Sequence, residues 1–90
     1  AGDLDQAERA YRRIIARYPR HVAALNNLAQ LLADRGCHAQ ARAVAGRALE
    51  IAAEDQPALV GAVGDTLGAI PAASGDIPGC GPDKTPARGP

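Results

Sequence analysis

The sequence predicts an all-α solenoid of antiparallel helix hairpins over residues 1–70, followed by a disordered Pro/Gly-rich tail over residues 71–90. Three observations carry that expectation. Gly2 and Gly36 stand thirty-four residues apart and open similar stretches, Gly2-Asp3-Leu4-Asp5-Gln6-Ala7 and Gly36-Cys37-His38-Ala39-Gln40-Ala41; at the same offset Ile14-Ile15 answers Ala48-Leu49. A fixed period of this length, without strand signals, points to stacked helical hairpins. The first seventy residues are rich in Ala, Leu and Arg, and their only Phe, Trp or Tyr residues are Tyr11 and Tyr18. Such a composition suits closely packed helices and fits sheets badly. From Pro71 onward proline and glycine punctuate the chain, and Ile77 is the one large aliphatic residue. That is too little apolar surface to offset chain entropy.

The first helix is expected to start near Asp3, where Asp3 or Asp5 caps exposed amides and favours the positive helix end. Leu4, Ala7, Tyr11, Ile14, Ile15 and Tyr18 recur at three- and four-residue steps, the period of one helical face. Pro19 stops it, because the residue before a proline is pushed away from helical angles. A second helix spans about His21 to Arg35, with Val22, Leu25, Leu28, Ala29, Leu31 and Leu32 inward. Gly36 supplies the left-handed residue that closes it. A third spans roughly His38 to Ala53, with Ala41, Val44, Ala45, Ala48, Leu49 and Ile51 inward; its small alanines let two helices approach closely. The fourth is expected from Pro57 to Ala69, with Asp55 as cap and Pro57 in the first turn. Leu59, Val60, Val63, Leu67 and Ile70 form its stripe, interrupted by Gly61, Gly64 and Gly68. Each glycine costs about 0.8–1 kcal/mol relative to alanine, so this helix depends on docking. The glycines either permit close packing or merely weaken it.

Net charge is zero, yet Arg9 to Arg47 holds eight arginines against one acid, Asp34, while Glu50 to Asp65 holds four acids and no base. That balance gives no general case for nucleic acid or a membrane surface. No apolar run approaches the ~18 residues a membrane helix needs. The chain opens on Ala1 without a basic-then-apolar leader and looks like a piece of something longer, so the compartment, cytoplasmic or periplasmic, stays open. Cys37 in an inter-helix turn and Cys80 in the tail are poor evidence for a disulfide framework.

The run Ala24-Leu25-Asn26-Asn27-Leu28-Ala29-Gln30-Leu31-Leu32, then Gly36, Ala41 and Ala48-Leu49-Glu50-Ile51, resembles the tetratricopeptide repeat. Leu25, Leu28-Ala29, Gly36, Ala41 and Ala48 fill the family's places for a large residue, a Leu-small pair, a turn glycine and two alanines. By this resemblance residues 22–55 form one full repeat. Residues 2–21 are helix B of a preceding repeat, and residues 56–70 a following or capping helix. Ala53 stands where the family usually has proline and Ala45 where it has an aromatic residue. Residues 22–35 are also similar to repeats of bacterial proteins, including those that follow a cysteine-peptidase domain, although no peptidase motif lies in the chain.

The resemblance implies binding of a protein or peptide partner in a concave groove lined by A helices. Asn26, Gln30, Ala33 and Asp34 should carry that face, with Asn27 nearby. Asn27 matches the asparagine that in many members hydrogen-bonds a bound peptide backbone; it could equally satisfy a neighbouring loop. Members that clamp a terminal carboxylate add lysine and arginine on the adjoining A helix. Here that face is expected to carry Val60 and Gly64, so chaperone-tail recognition is not supported.

Other candidates carry less. Arg9, Arg13 and Arg17 share one helix face without the interleaved aromatics of a stacking nucleic-acid platform, and read as a solvated face supported by the Asp5–Arg9 pair. Cys37-His38 are adjacent, whereas a catalytic pair normally converges from distant sequence. His21, Cys37, His38 and Cys80 lack zinc spacing. Gly79-Cys80-Gly81-Pro82-Asp83-Lys84-Thr85 departs from a phosphate-binding loop, since Asp83 replaces a glycine and Pro82 removes an amide donor. The expectation is a protein-binding scaffold with no catalysis, cofactor, metal, nucleic acid or membrane. The alternatives are the non-catalytic C-terminal part of a larger enzyme, and a structural module that self-associates. Fewer than three repeats are marginal, and Leu4, Tyr11 and Ile14 lack a covering helix on the N-terminal side.

Overall fold

Helix-favouring runs, each ended by proline or glycine, give four helices in the computed structural model, which describes residues 2–72 and 75–80. They are α1 (Gly2–Arg17), α2 (Val22–Asp34), α3 (His38–Asp55) and α4 (Val60–Ala69), with one 3₁₀ turn at Pro57–Leu59 leading into α4. α1 ends two residues before Pro19. At the start of α2 the ring Nδ1 of His21 accepts the Ala24 amide at 3.1 Å, so an imidazole takes the capping place usually held by a hydroxyl or carboxylate. α2 closes as a Schellman motif: the Cys37 amide donates to the Leu32 carbonyl at 2.8 Å and the Gly36 amide to Ala33 at 3.0 Å. Gly36 sits at φ +83°, where a side chain is strained.

The core lies between α2 and α3. Leu25, Leu28 and Ala29 meet Ala41, Val44, Ala45, Ala48 and Ile51, and none of these is more than 1% exposed. Alanines at the interface bring the backbones close enough to exclude water, which is where most of the stabilisation comes from. Gln40 and Ala52 are buried as well, while Leu49, expected inside, is half-buried. α4 lies against α3 through Val63 and Ile70, with Leu59, Val60 and Leu67 covering the edge.

α1 departs from its predicted stripe. Ile15 is buried and Tyr11 packs on the core, but Leu4, Ile14 and Tyr18 are exposed. Among the described elements the helix packs closely on α2 alone, which leaves one flank of a two-sided stripe uncovered by them.

The join to α4 also differs from expectation. α3 runs on to Asp55, and the Asp55 carboxylate does not cap α4. It accepts from Arg20 Nε at 2.8 Å, and Arg20 Nη2 reaches Glu54 Oε1 at 3.3 Å. The hydrogen bond from Arg20 holds the Asp55 carboxyl below its ordinary range. This pair ties the α1–α2 turn to the end of α3. Gly61, Gly64 and Gly68 face open space, with nothing within 4 Å of an added Cβ. They loosen α4 and serve no close approach.

The two cysteines require a correction. Sequence spacing argued against a disulfide, yet Cys37 and Cys80 are joined, with Cα atoms 5.7 Å apart. The turn that closes α2 places Cys37 at the start of α3, where Asp76 meets it in an isolated antiparallel bridge. Around it the Ile77 amide donates to the Gly36 carbonyl at 3.3 Å, and Gln40 Nε2 to the Cys80 carbonyl at 3.3 Å. Of the predicted tail, residues 73–74 and 81–90 lie outside the described residues. Residues 75–79 are exposed, as the composition requires; polar and covalent anchors hold them instead of apolar burial.

Candidate functional site

The exposed sides of α2 and α4 carry polar residues at helical spacing and face one another across a groove. Asn26, Gln30, Ala33 and Asp34 line it from α2; Ala62, Asp65, Thr66, Ala69 and Ile70 line it from α4 and its end. The cavity is about 420 Å³, within the range of ligand pockets.

Two bonds lock the centre. Gln30 Nε2 donates to Thr66 Oγ1 at 3.2 Å, and Thr66 Oγ1 donates to the Ala62 carbonyl at 3.2 Å. These consume the hydroxyl proton of buried Thr66 and one Gln30 amide proton. Asn26 Oδ1 is buried without a hydrogen-bond partner. Such an acceptor costs about 1–3 kcal/mol until it is paired. Asp34 and Asp65 are exposed and take part in no ion pair among the described residues.

Of the residues expected on the concave face, Asn26, Gln30 and Asp34 come together in this groove, and Asn27 does not line it. One position along the helix turns Asn27 to an exposed flank. The opposing residues also differ from expectation. Val60 packs against the core edge and Gly64 does not line the cavity; their place is taken by Ala62, Asp65, Thr66 and Ala69. A legible signal existed, because 62, 65, 66 and 69 repeat at three- and four-residue steps beside the apolar 59, 63, 67 and 70.

The remaining candidates make no site. Arg9, Arg13 and Arg17 are exposed along α1, and the Arg17 guanidinium lies 5.9 Å from the Tyr18 ring centre. A second cavity near the disulfide is lined by Asp5, Glu8, Arg9 and Arg35. There Arg35 Nη1 bonds Asp5 at 2.6 Å and Glu8 at 3.2 Å, so its charges are matched internally. Cys37 is oxidised and carries no thiolate for His38 to activate. Among the described residues no group of three or more His, Cys, Asp or Glu could hold a metal ion, and no helix is long and apolar enough to cross a membrane.

Helix hairpins stacked so that alternate helices enclose a groove define a helical-repeat protein. The tetratricopeptide repeat family matches residues 1–65, and the chain belongs to that family. Repeats of this kind generally mediate protein–protein interaction and are typically non-catalytic. No curated protein and no solved structure matches the chain.

Proposed function

We propose that this chain is a non-catalytic scaffold that binds a peptide or protein segment in the α2–α4 groove. In this reading α2 and α3 form one full repeat, α1 is helix B of the repeat before, and α4 opens or caps the next. Asn26, Gln30 and Asp34 are the contact residues from α2, with Asp65 and Thr66 opposite. The observation that supports it most is the groove itself: a concave surface on two helices, with Asn26, Gln30 and Thr66 among its lining residues.

A peptide array probed with the full chain, followed by NMR titration of the hits, tests the proposal. Binders should shift the amides of Asn26, Gln30, Asp65 and Thr66. Gln30→Ala should weaken them roughly fivefold, the worth of one hydrogen bond of about 1 kcal/mol, while Asn27→Ala should change little. Hits whose shifts map to the Arg9–Arg17 face of α1 would refute it.

A further inference from the structure

The α2–α4 groove has a sign. Among the described residues, its charged lining residues are Asp34 and Asp65, and no Lys, Arg or His lines it. Both helices also bring their C-terminal ends to it, α2 through Ala33 and Asp34 and α4 through Ala69 and Ile70. Neither has a basic residue in its last turn; just beyond α4, Arg42 Nη1 donates to the Pro71 carbonyl at 2.6 Å. The nearest arginine along α2, Arg35, is held on the other side by Asp5 and Glu8.

Hydrogen-bonding capacity points the same way. The Thr66 hydroxyl proton is used within α4 and a Gln30 amide proton is used by Thr66. The exposed acceptors of the groove are the carboxylates of Asp34 and Asp65. Two carboxylates fall well short of the ~6–8 oxygen ligands a calcium ion takes. A guanidinium or ammonium group, all donors and cationic, matches the set.

Resting on the peptide-binding reading above, we propose that the groove's occupant is a basic peptide segment whose Arg or Lys head groups engage Asp34 and Asp65. The charge complementarity also makes the site selective, since an acidic segment would meet like charge from both aspartates.

Titration of the full chain with three labelled decapeptides, alternating Ala with Arg, citrulline or Glu, tests this. Citrulline keeps the shape of arginine and removes its charge. The Arg peptide should bind about tenfold tighter than the citrulline peptide at low salt, lose most of that advantage at high salt, and shift the Asn26 and Thr66 amides. The Glu peptide should not bind. Asp34→Asn with Asp65→Asn should weaken the Arg peptide roughly fivefold, as two partly exposed ion pairs would, and remove most of its advantage over the citrulline peptide. Both aspartates are exposed and in no ion pair among the described residues, so this variant keeps the fold, and circular dichroism checks it. Arg and citrulline peptides that bind equally well, both shifting Asn26 and Thr66, would overturn the cationic occupant and leave the groove reading standing. An Arg preference unaltered in the double variant would also overturn it. If no peptide of any charge shifts those amides, both readings fall together.

Discussion

At Cys37 the third helix opens without a capping side chain of its own, and Asp76 supplies one from far along the chain. Its Oδ1 accepts the Ala39 and Gln40 amides at 2.8 and 3.2 Å, the two bonds an N-terminal cap normally makes, and its charge suits the positive end of α3. Asp76→Ala should cost about 1 kcal/mol of stability and Asp76→Asn much less, measured by denaturant unfolding of the oxidised protein. An unchanged midpoint for Asp76→Ala would show that water caps α3 equally well. No pattern around residue 76 announces this role, because capping motifs are local in sequence and this cap is not.

At the scale of the helix, α4 is the element that sequence reading placed well and oriented less well. Its residues and glycine interruptions were legible, but the groove face was set at Val60 and Gly64. The helix proper begins at Val60 only after the 3₁₀ turn, and a stripe interrupted by glycines leaves its rotation to be decided by the side of α3 it meets. Since added Cβ atoms at Gly61, Gly64 and Gly68 meet nothing within 4 Å, their cost is backbone entropy alone. Each Gly→Ala change there should stabilise the chain by about 0.5–1 kcal/mol and slow amide exchange in α4. A loss of stability would mean that these positions do approach a neighbour. α2, by contrast, was readable nearly throughout. Every residue expected inside it is buried, because its stripe is continuous and its end is marked by Gly36.

Across the whole molecule, the Cys37–Cys80 link closes a loop over a sequence separation of 43. Loop-closure entropy assigns such a link about 4 kcal/mol, a sizeable part of the ~5–15 kcal/mol that holds a small domain together. Reduction, or Cys80→Ser, should therefore lower the thermal midpoint by many degrees and speed exchange of the Ile77 amide, whose bond to Gly36 holds the segment in place. Equal melting of oxidised and reduced protein would show that the segment adds nothing to stability. Ile77 remains half exposed even when docked, so the covalent link matters more here than apolar burial.

Periodicity, punctuation and small-residue content determined by themselves that this chain forms helices, that α1 and α2 stop before Pro19 and Gly36, and that α2 and α3 pair, since these follow from interactions within a few residues and from one continuous apolar face. They also put Gln30 and Asp34 on the exposed side of α2, because residues opposite a buried stripe face outward by geometry. Only the tertiary structure decided which face of α4 confronts them, that Asn27 turns aside, and that Cys80 returns to Cys37. Those outcomes depend on how whole elements meet in space, and contacts between residues far apart in the chain leave no periodic trace along it.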